Sequence, residues 1–142
     1  MIREIENKDY EKIYELGKEL HENFKSLYPL DKITQTDYIH LLVYEKNEEI
    51  VGFLTYTELH NTVDILDLVV DALHRRKKIA TALIDYMITN INPTSTIYLE
   101  VSVENQAAID LYEKFGFVKI HTRKKYYGTE DAYVMERVSE NE

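Results

Sequence analysis

Three polar side chains stand at fixed offsets in the stretch IYLEVSVENQAAIDLYEKFGF, Ile97 to Phe117: Glu100, Asn105 and Tyr112. A carboxylate can take a proton from an amine, and a phenol can donate one to a leaving group. The stretch reads as a strand carrying Glu100, a tight turn, and a helix opened by Asn105 and closed by Gly116. Asn105, Ala108, Ile109 and Tyr112 follow i, i+3, i+4, i+7 spacing and share one helix face. Spacing alone leaves plainer roles open: Asn105 as a cap, Tyr112 as packing, Glu100 as an exposed strand residue. Asp67, on an earlier strand, is a rival base.

A second segment carries charge. VVDALHRRKKIATALIDY, Val69 to Tyr86, reads as a strand end, a basic loop and the start of an amphipathic helix. Free backbone N–H groups and the positive end of the helix dipole converge at such a point, which suits a phosphate or pyrophosphate. Arg75, Arg76, Lys77 and Lys78 add positive charge there, in a chain whose net charge is −9. A solvated basic loop is the alternative.

These segments need elements to hold them. Ile2 to Ile5 reads as a first strand. Asn7 or Asp9 caps a helix whose apolar stripe is Tyr10, Ile13, Leu16, Leu20 and Phe24. Pro29 breaks that pattern, and a second helix is expected from about Asp31 to Leu41. Strands follow at Leu42 to Lys46, Ile50 to Leu59 and Thr62 to Val70, the first two joined by a tight turn at Asn47-Glu48. Ile79, Leu83, Tyr86 and Met87 form the apolar face of a helix ending near Asn90. Ile97 to Val103 is a strand with Ile97, Leu99 and Val101 on one face and Tyr98, Glu100 and Ser102 on the other. Gln106 to Phe115 is a helix, and Phe117 to Tyr126 with Ala132 to Val138 closes the chain as a hairpin. The order β-α-α-β-β-β-α-β-α-β-β predicts an α/β (α+β) fold, a mixed, mostly antiparallel sheet flanked by helices.

The chain has 142 residues, enough for one domain with a real core, and we expect 1–142 to be that domain. Cysteine is absent, which excludes disulfides, thiolate zinc sites and a cysteine acyl-enzyme. An excess of 26 acidic over 17 basic residues argues against nucleic acid and favours a cationic substrate such as an amine. No apolar run approaches the ~18 residues of a membrane span. The N-terminus MIREIENKDY lacks a signal-peptide pattern, so a cytoplasmic protein is expected. His21, His40, His60, His74 and His121 show no metal-ligand spacing, and no metal is expected.

RRKKIA, Arg75 to Ala80, resembles the acetyl-CoA pyrophosphate loop of the GNAT superfamily of N-acetyltransferases, whose pattern is Q/R-x-x-G-x-G/A. Arg75 fills the first position and Ala80 the last, while Lys78 stands where the family usually has glycine. The resemblance covers nearly the whole chain and implies acetyl-CoA as cosubstrate. It assigns the arm of the cofactor to Leu68, Val69 and Val70. The loop contacts fall to Arg75, Arg76, Lys77, Lys78, Ile79, Ala80 and Thr81, and a further contact to Asn105. It makes Tyr112 the acid near the departing sulfur and Glu100 the base, direct or through water. EVSVENQAAIDLYEKFGF is most similar to the branch that acetylates ribosomal-protein N-termini, and RKKYYGTEDAYVMERV resembles both that branch and the catalytic subunits of eukaryotic N-terminal acetyltransferases. There the tyrosine pair, here Tyr126 and Tyr127, lines the peptide entrance. The implied acceptor is a protein N-terminal α-amine taking acetyl by direct transfer. A small amine or polyamine, or a degenerate CoA-binding fold without turnover, remains the alternative.

Overall fold

The computed structural model describes residues 1–20, 22–75, 78–124 and 130–139. In chain order the elements are β1 (Ile2–Glu4), α1 (Tyr10–Gly17), α2 (Phe24–Leu27), α3 (Leu30–Ile33), β2 (Ile39–Lys46), β3 (Glu49–Leu59) and β4 (Thr62–Val70). They continue with α4 (Ile79–Asn90), β5 (Thr96–Ser102), α5 (Gln106–Lys114), β6 (Val118–Arg123) and β7 (Ala132–Arg137). The strands form one sheet in the order β1-β2-β3-β4-β5-β7-β6. Among the described residues only β4 and β5 pair in parallel; the remaining neighbours are antiparallel. The mixed, mostly antiparallel sheet flanked by helices is the one the element order predicts.

Short turns set the N-terminal half of the sheet. Asn47 and Glu48 both have positive φ, 52° and 66°, as the expected tight hairpin turn requires. His60 and Asn61 repeat that conformation between β3 and β4. Helices then cover both faces. On one, α4 and α5 bury Leu83, Ile84, Met87 and Ile109 against Leu54, Ile65, Ile97 and Leu99. On the other, α1 to α3 bury Ile13, Leu16, Phe24 and Leu30 against Leu41, Val43, Phe53 and Val69.

Two expectations for the first third are corrected. The stripe from Tyr10 to Phe24 does not lie on one helix: α1 ends at Gly17, and Phe24 opens the separate α2. The chain folds back so that the Phe24 ring lies on Gly17, where an added Cβ would come within 2.3 Å of the ring. Leu20, counted in the stripe, is instead exposed. The helix expected from Asp31 to Leu41 is the single turn α3, and β2 already begins at Ile39. Pairing with β3 claims those residues: Ile39, His40 and Leu41 face Thr57, Tyr56 and Thr55.

Two irregularities in β4 distort the middle of the sheet. Asp67 pairs with Thr55 and Ile65 with Tyr56, so Leu66 is an extra residue, a β-bulge. A bulge bends its strand and increases the local twist. The parallel ladder between β4 and β5 has only three pairs, Thr62–Thr96, Val63–Ile97 and Asp64–Tyr98. Beyond them both strands run on, to Val70 and Ser102, without pairing to each other.

Candidate active site

The basic loop folds as a short turn, Ala72–His74, then Arg75, then Lys78 as the residue before α4. Arg76 and Lys77 lie outside the described residues. Lys78 takes φ 63° and ψ 22°, the left-handed conformation that glycine adopts without steric cost. The lysine thus reproduces the backbone shape expected of glycine at its position. Gly52 lets the first turn of α4 lie close on β3, since a Cβ there would sit 3.0 Å from the Val69 carbonyl oxygen and 3.2 Å from Ile79 Cγ2.

Between this turn and α5 lies a cleft of about 460 Å³. Val70, Arg75, Lys78, Ile79, Ala80 and Thr81 line one side, and Ala107, Asp110, Leu111 and Lys114 the other. Three fixed cations face one carboxylate, beside the start of a helix, which suits an anion. Arg75 is already engaged: its Nη2 is 3.2 Å from Glu19 Oε2, and its Nε donates to the Val70 carbonyl at 3.3 Å. His74 also lines the cleft, with Nδ1 2.9 Å from Asp71 Oδ2. Leu68, Val69 and Val70 lead into the cleft along the stretch of β4 that has no ladder to β5. An open strand edge running into a cationic cleft fits an extended, amide-bearing arm that ends in a pyrophosphate.

Glu100 lies on the outer face of β5, as the alternation predicts, between buried Leu99 and Val101. It lines a second cleft of about 470 Å³ at the parting of β4 and β5, with Thr57, Asp64, Leu66, Tyr98 and Val134. Arg123 Nη1 donates to Glu100 Oε2 at 3.1 Å. Tyr112 lies on the opposite face of the sheet, buried in the core under α4 and α5, with its ring edge toward Phe117 at 5.6 Å. Burial pushes its phenol up to about 12. Asn105 caps α5 as expected, accepting from the Ala108 amide at 3.2 Å.

The rival base, Asp67, is buried on the same face as Glu100. The bulge is the reason: Ile65 joins the core beneath α4, whereas Val69 joins the core beneath α1, so the chain has changed faces between them. Burial, then the nearby charge of Asp67, hold the Tyr28 phenol above its ordinary range. Tyr126 and Tyr127 lie outside the described residues. Sequence reasoning missed Tyr28 and Arg123 as neighbours of the two carboxylates. It also missed the outward face of α5. Ala107, Asp110, Leu111 and Lys114 carried a signal, since they repeat the helical spacing one face round from Tyr112. Among the described residues no group of three His, Asp or Glu side chains is placed to hold a metal ion.

Known proteins share this fold. An N-alpha-acetyltransferase from Saccharolobus solfataricus is 39% identical over 93 residues, which is 61% of this chain and 56% of that protein. The chain thus spans little more than half the length of that relative. The crystal structure of the ribosomal-protein-S18-alanine N-acetyltransferase from Escherichia coli superposes with TM-score 0.85 at 25% identity, covering 100% of this chain and 97% of that one. A spermidine N-acetyltransferase chimera of the Vibrio cholerae protein superposes with TM-score 0.79 at 27% identity, covering 97% of this chain and 94% of that one. The family model for the acetyltransferase (GNAT) family matches residues 1–117, and the chain belongs to that family.

Proposed function

We propose that the protein transfers the acetyl group of acetyl-CoA directly to the α-amine of a protein N-terminus. One observation carries the reading: β4 and β5 part beyond Asp64 and Tyr98, with a cationic cleft where β4 ends and a second cleft, lined by Glu100, where the strands part. Arg75, Lys78 and the first turn of α4 would hold the pyrophosphate, and the open edge at Leu68 to Val70 the arm. Bound there, acetyl-CoA supplies a thioester whose carbonyl carbon accepts the amine. Glu100 takes the ammonium proton, directly or through water, because the protonated amine has no lone pair to attack with. Tyr112 donates a hydrogen bond where the thiolate develops. Full proton transfer from a phenol near 12 to a thiolate near 8.5 would cost about 5 kcal/mol, so donation without transfer is the favoured role.

The α-amine is the better match for a carboxylate base. Its pKa is near 7.7–8.0 against about 10.4 for lysine, and freeing the lysine amine at neutral pH costs about 3.5 kcal/mol more. The likeness to acetyltransferases of protein N-termini supports the same acceptor. The likeness to an acetyltransferase of a ribosomal protein supports a cytoplasmic location. Mass spectrometry of free-N-terminus peptides with acetyl-CoA tests the reading. The free peptide should gain one acetyl group and its α-blocked twin none; equal labelling of an internal lysine in the twin would overturn the α-amine assignment.

A polyamine acceptor is the second reading. The net charge of −9 and the carboxylates Asp64 and Glu100 in the acceptor cleft favour a cation, and a spermidine acetyltransferase shares the fold. Competition between spermidine and peptides at equal concentration separates the two.

A further inference from the structure

His74 lines the cationic cleft, yet acetyl transfer as described gives it no task. Backbone hydrogen bonds set its place. Asp71, which follows β4, donates its amide to the Val51 carbonyl on β3 at 2.8 Å. The His74 amide donates to the Asp71 carbonyl, also at 2.8 Å, and closes the short turn. The ring folds back on the same residue, with Nδ1 2.9 Å from Asp71 Oδ2. Both side chains are largely buried, 21% and 23% exposed.

That contact decides what the other ring nitrogen can do. An ionised carboxylate only accepts hydrogen bonds, so Nδ1 carries the hydrogen between them. In the neutral ring Nε2 is then a bare lone pair, to which a phosphate oxygen has nothing to donate. A proton taken from solvent turns it into a charged Nε2–H donor. Imidazole makes this change between about pH 5 and 8. Among the described residues, the charged groups that share the cleft with His74 are Arg75, Lys78, Asp110 and Lys114. Asp71 lies behind the ring, and Glu19 reaches the loop through Arg75 at 3.2 Å. Three cations oppose a fourth in the free protein. A pyrophosphate among them reverses that balance, so binding and protonation favour one another.

We propose that His74 is a proton-linked contact for the pyrophosphate of the cofactor: the ring takes up one proton as the cofactor binds and donates Nε2–H to a phosphate oxygen. The inference rests on the acetyl-CoA reading above. Asp71 is a positioning residue, acting through the ring. It fixes the tautomer and leaves Nε2 as the free edge.

Calorimetry at pH 6 and pH 8 tests it, with CoA and with dephospho-CoA, which keeps the pyrophosphate and lacks the titrating phosphate monoester. The wild-type protein should bind dephospho-CoA about tenfold more tightly at pH 6, the scale of one hydrogen bond to a charged group. The heat measured in buffers of different ionisation enthalpy should show proton uptake on binding. His74→Gln should lose most of the gain and of the uptake. Asp71→Asn keeps an acceptor for Nδ1–H and should retain part of the gain, whereas Asp71→Ala should lose it. Should Asp71→Ala fail to fold, nitrogen NMR of the wild-type ring decides instead, with the His74 signals assigned by their absence in His74→Gln. The neutral ring should be the Nδ1–H tautomer. An equal gain in wild type and His74→Gln, a gain with CoA but not dephospho-CoA, or an Nε2–H tautomer in the neutral ring overturns the contact alone. A wild-type protein that binds neither compound overturns the cofactor reading with it.

Discussion

Glu100 and Tyr112 lie on opposite faces of the sheet. Glu100 lies in the open cleft above it, and Tyr112 lies in the core beneath α4 and α5. A continuous sheet would keep them apart. Here the ladder between β4 and β5 stops at Asp64 and Tyr98, short of Glu100.

Removing either group should therefore slow turnover without removing the cofactor site. Glu100→Gln should lower kcat by about 10² or more, the range for a positioned base. Tyr112→Phe should lower kcat with little change in the KM for the peptide, since its contact is made as charge develops on sulfur. Steady-state kinetics, with calorimetry for acetyl-CoA, check both; full activity in either variant removes its assigned role.

The raised phenol of Tyr112 fixes a pH dependence. Its folded value of about 12 lies above the ordinary 10, so the unfolded chain loses this proton first. The stability it contributes is complete below pH 10 and is lost as pH climbs from 10 through 12. Tyr56, also pushed to about 12, chiefly by burial, adds a second loss in that window. Unfolding midpoints measured from pH 8 to 11 should fall less steeply above 10 in Tyr112→Phe than in the wild type.

Arg3 holds the N-terminal corner. Its guanidinium meets Asp9 at 2.7 and 3.0 Å and Glu45 at 2.6 Å, and Asp9 is 4% exposed. Burial alone would raise the Asp9 carboxyl; the hydrogen bonds from Arg3 and from the Glu6 amide outweigh it and hold it low. A lowered carboxyl contributes stability above its unfolded value near 4, and that stability is lost as pH falls further. Arg3→Met should cost about 3 kcal/mol by leaving a buried charge unpaired. Adding Asp9→Leu to it should recover most of the loss in urea titrations.

Lys78 carries a left-handed backbone without the freedom of glycine. Lys78→Gly should relieve roughly 1 kcal/mol of local strain. It also removes one cation from the cleft. The variant should melt at or above the wild-type temperature, and its acetyl-CoA affinity should depend less steeply on salt. Lys78→Ala keeps the strain and loses the charge, and should be the poorer of the two in thermal melts.

How much of this was legible depended on whether the signal lay in side chains or in backbone. Glu100 was readable because period-two alternation sets its face. Asn105 and Gly116 were readable because cap and C′ positions demand those residue types, and Gly116 has φ 92°. The bulge at Leu66 was not. Val63, Ile65, Asp67 and Val69 are all buried and alternate without a break, yet Ile65 and Val69 serve different cores. A change of face made by the backbone leaves no mark on the pattern. The end of α1 at Gly17 was hidden for a related reason. Phe24 falls on the helical stripe by spacing, but reaches the core by folding back over a glycine.

The short ladder between β4 and β5 has a mechanical consequence. Among the described residues, three residue pairs make up the ladder that joins a four-stranded half, β1 to β4, to a three-stranded half, β5 to β7. The sheet is thus scored along one line, and opening under stress should begin there rather than at its rims. A ligand lying in the gap would bond across the score and act as a rivet, so hydrogen exchange at Ile65 to Val70 should slow more on binding than exchange at the outer strands.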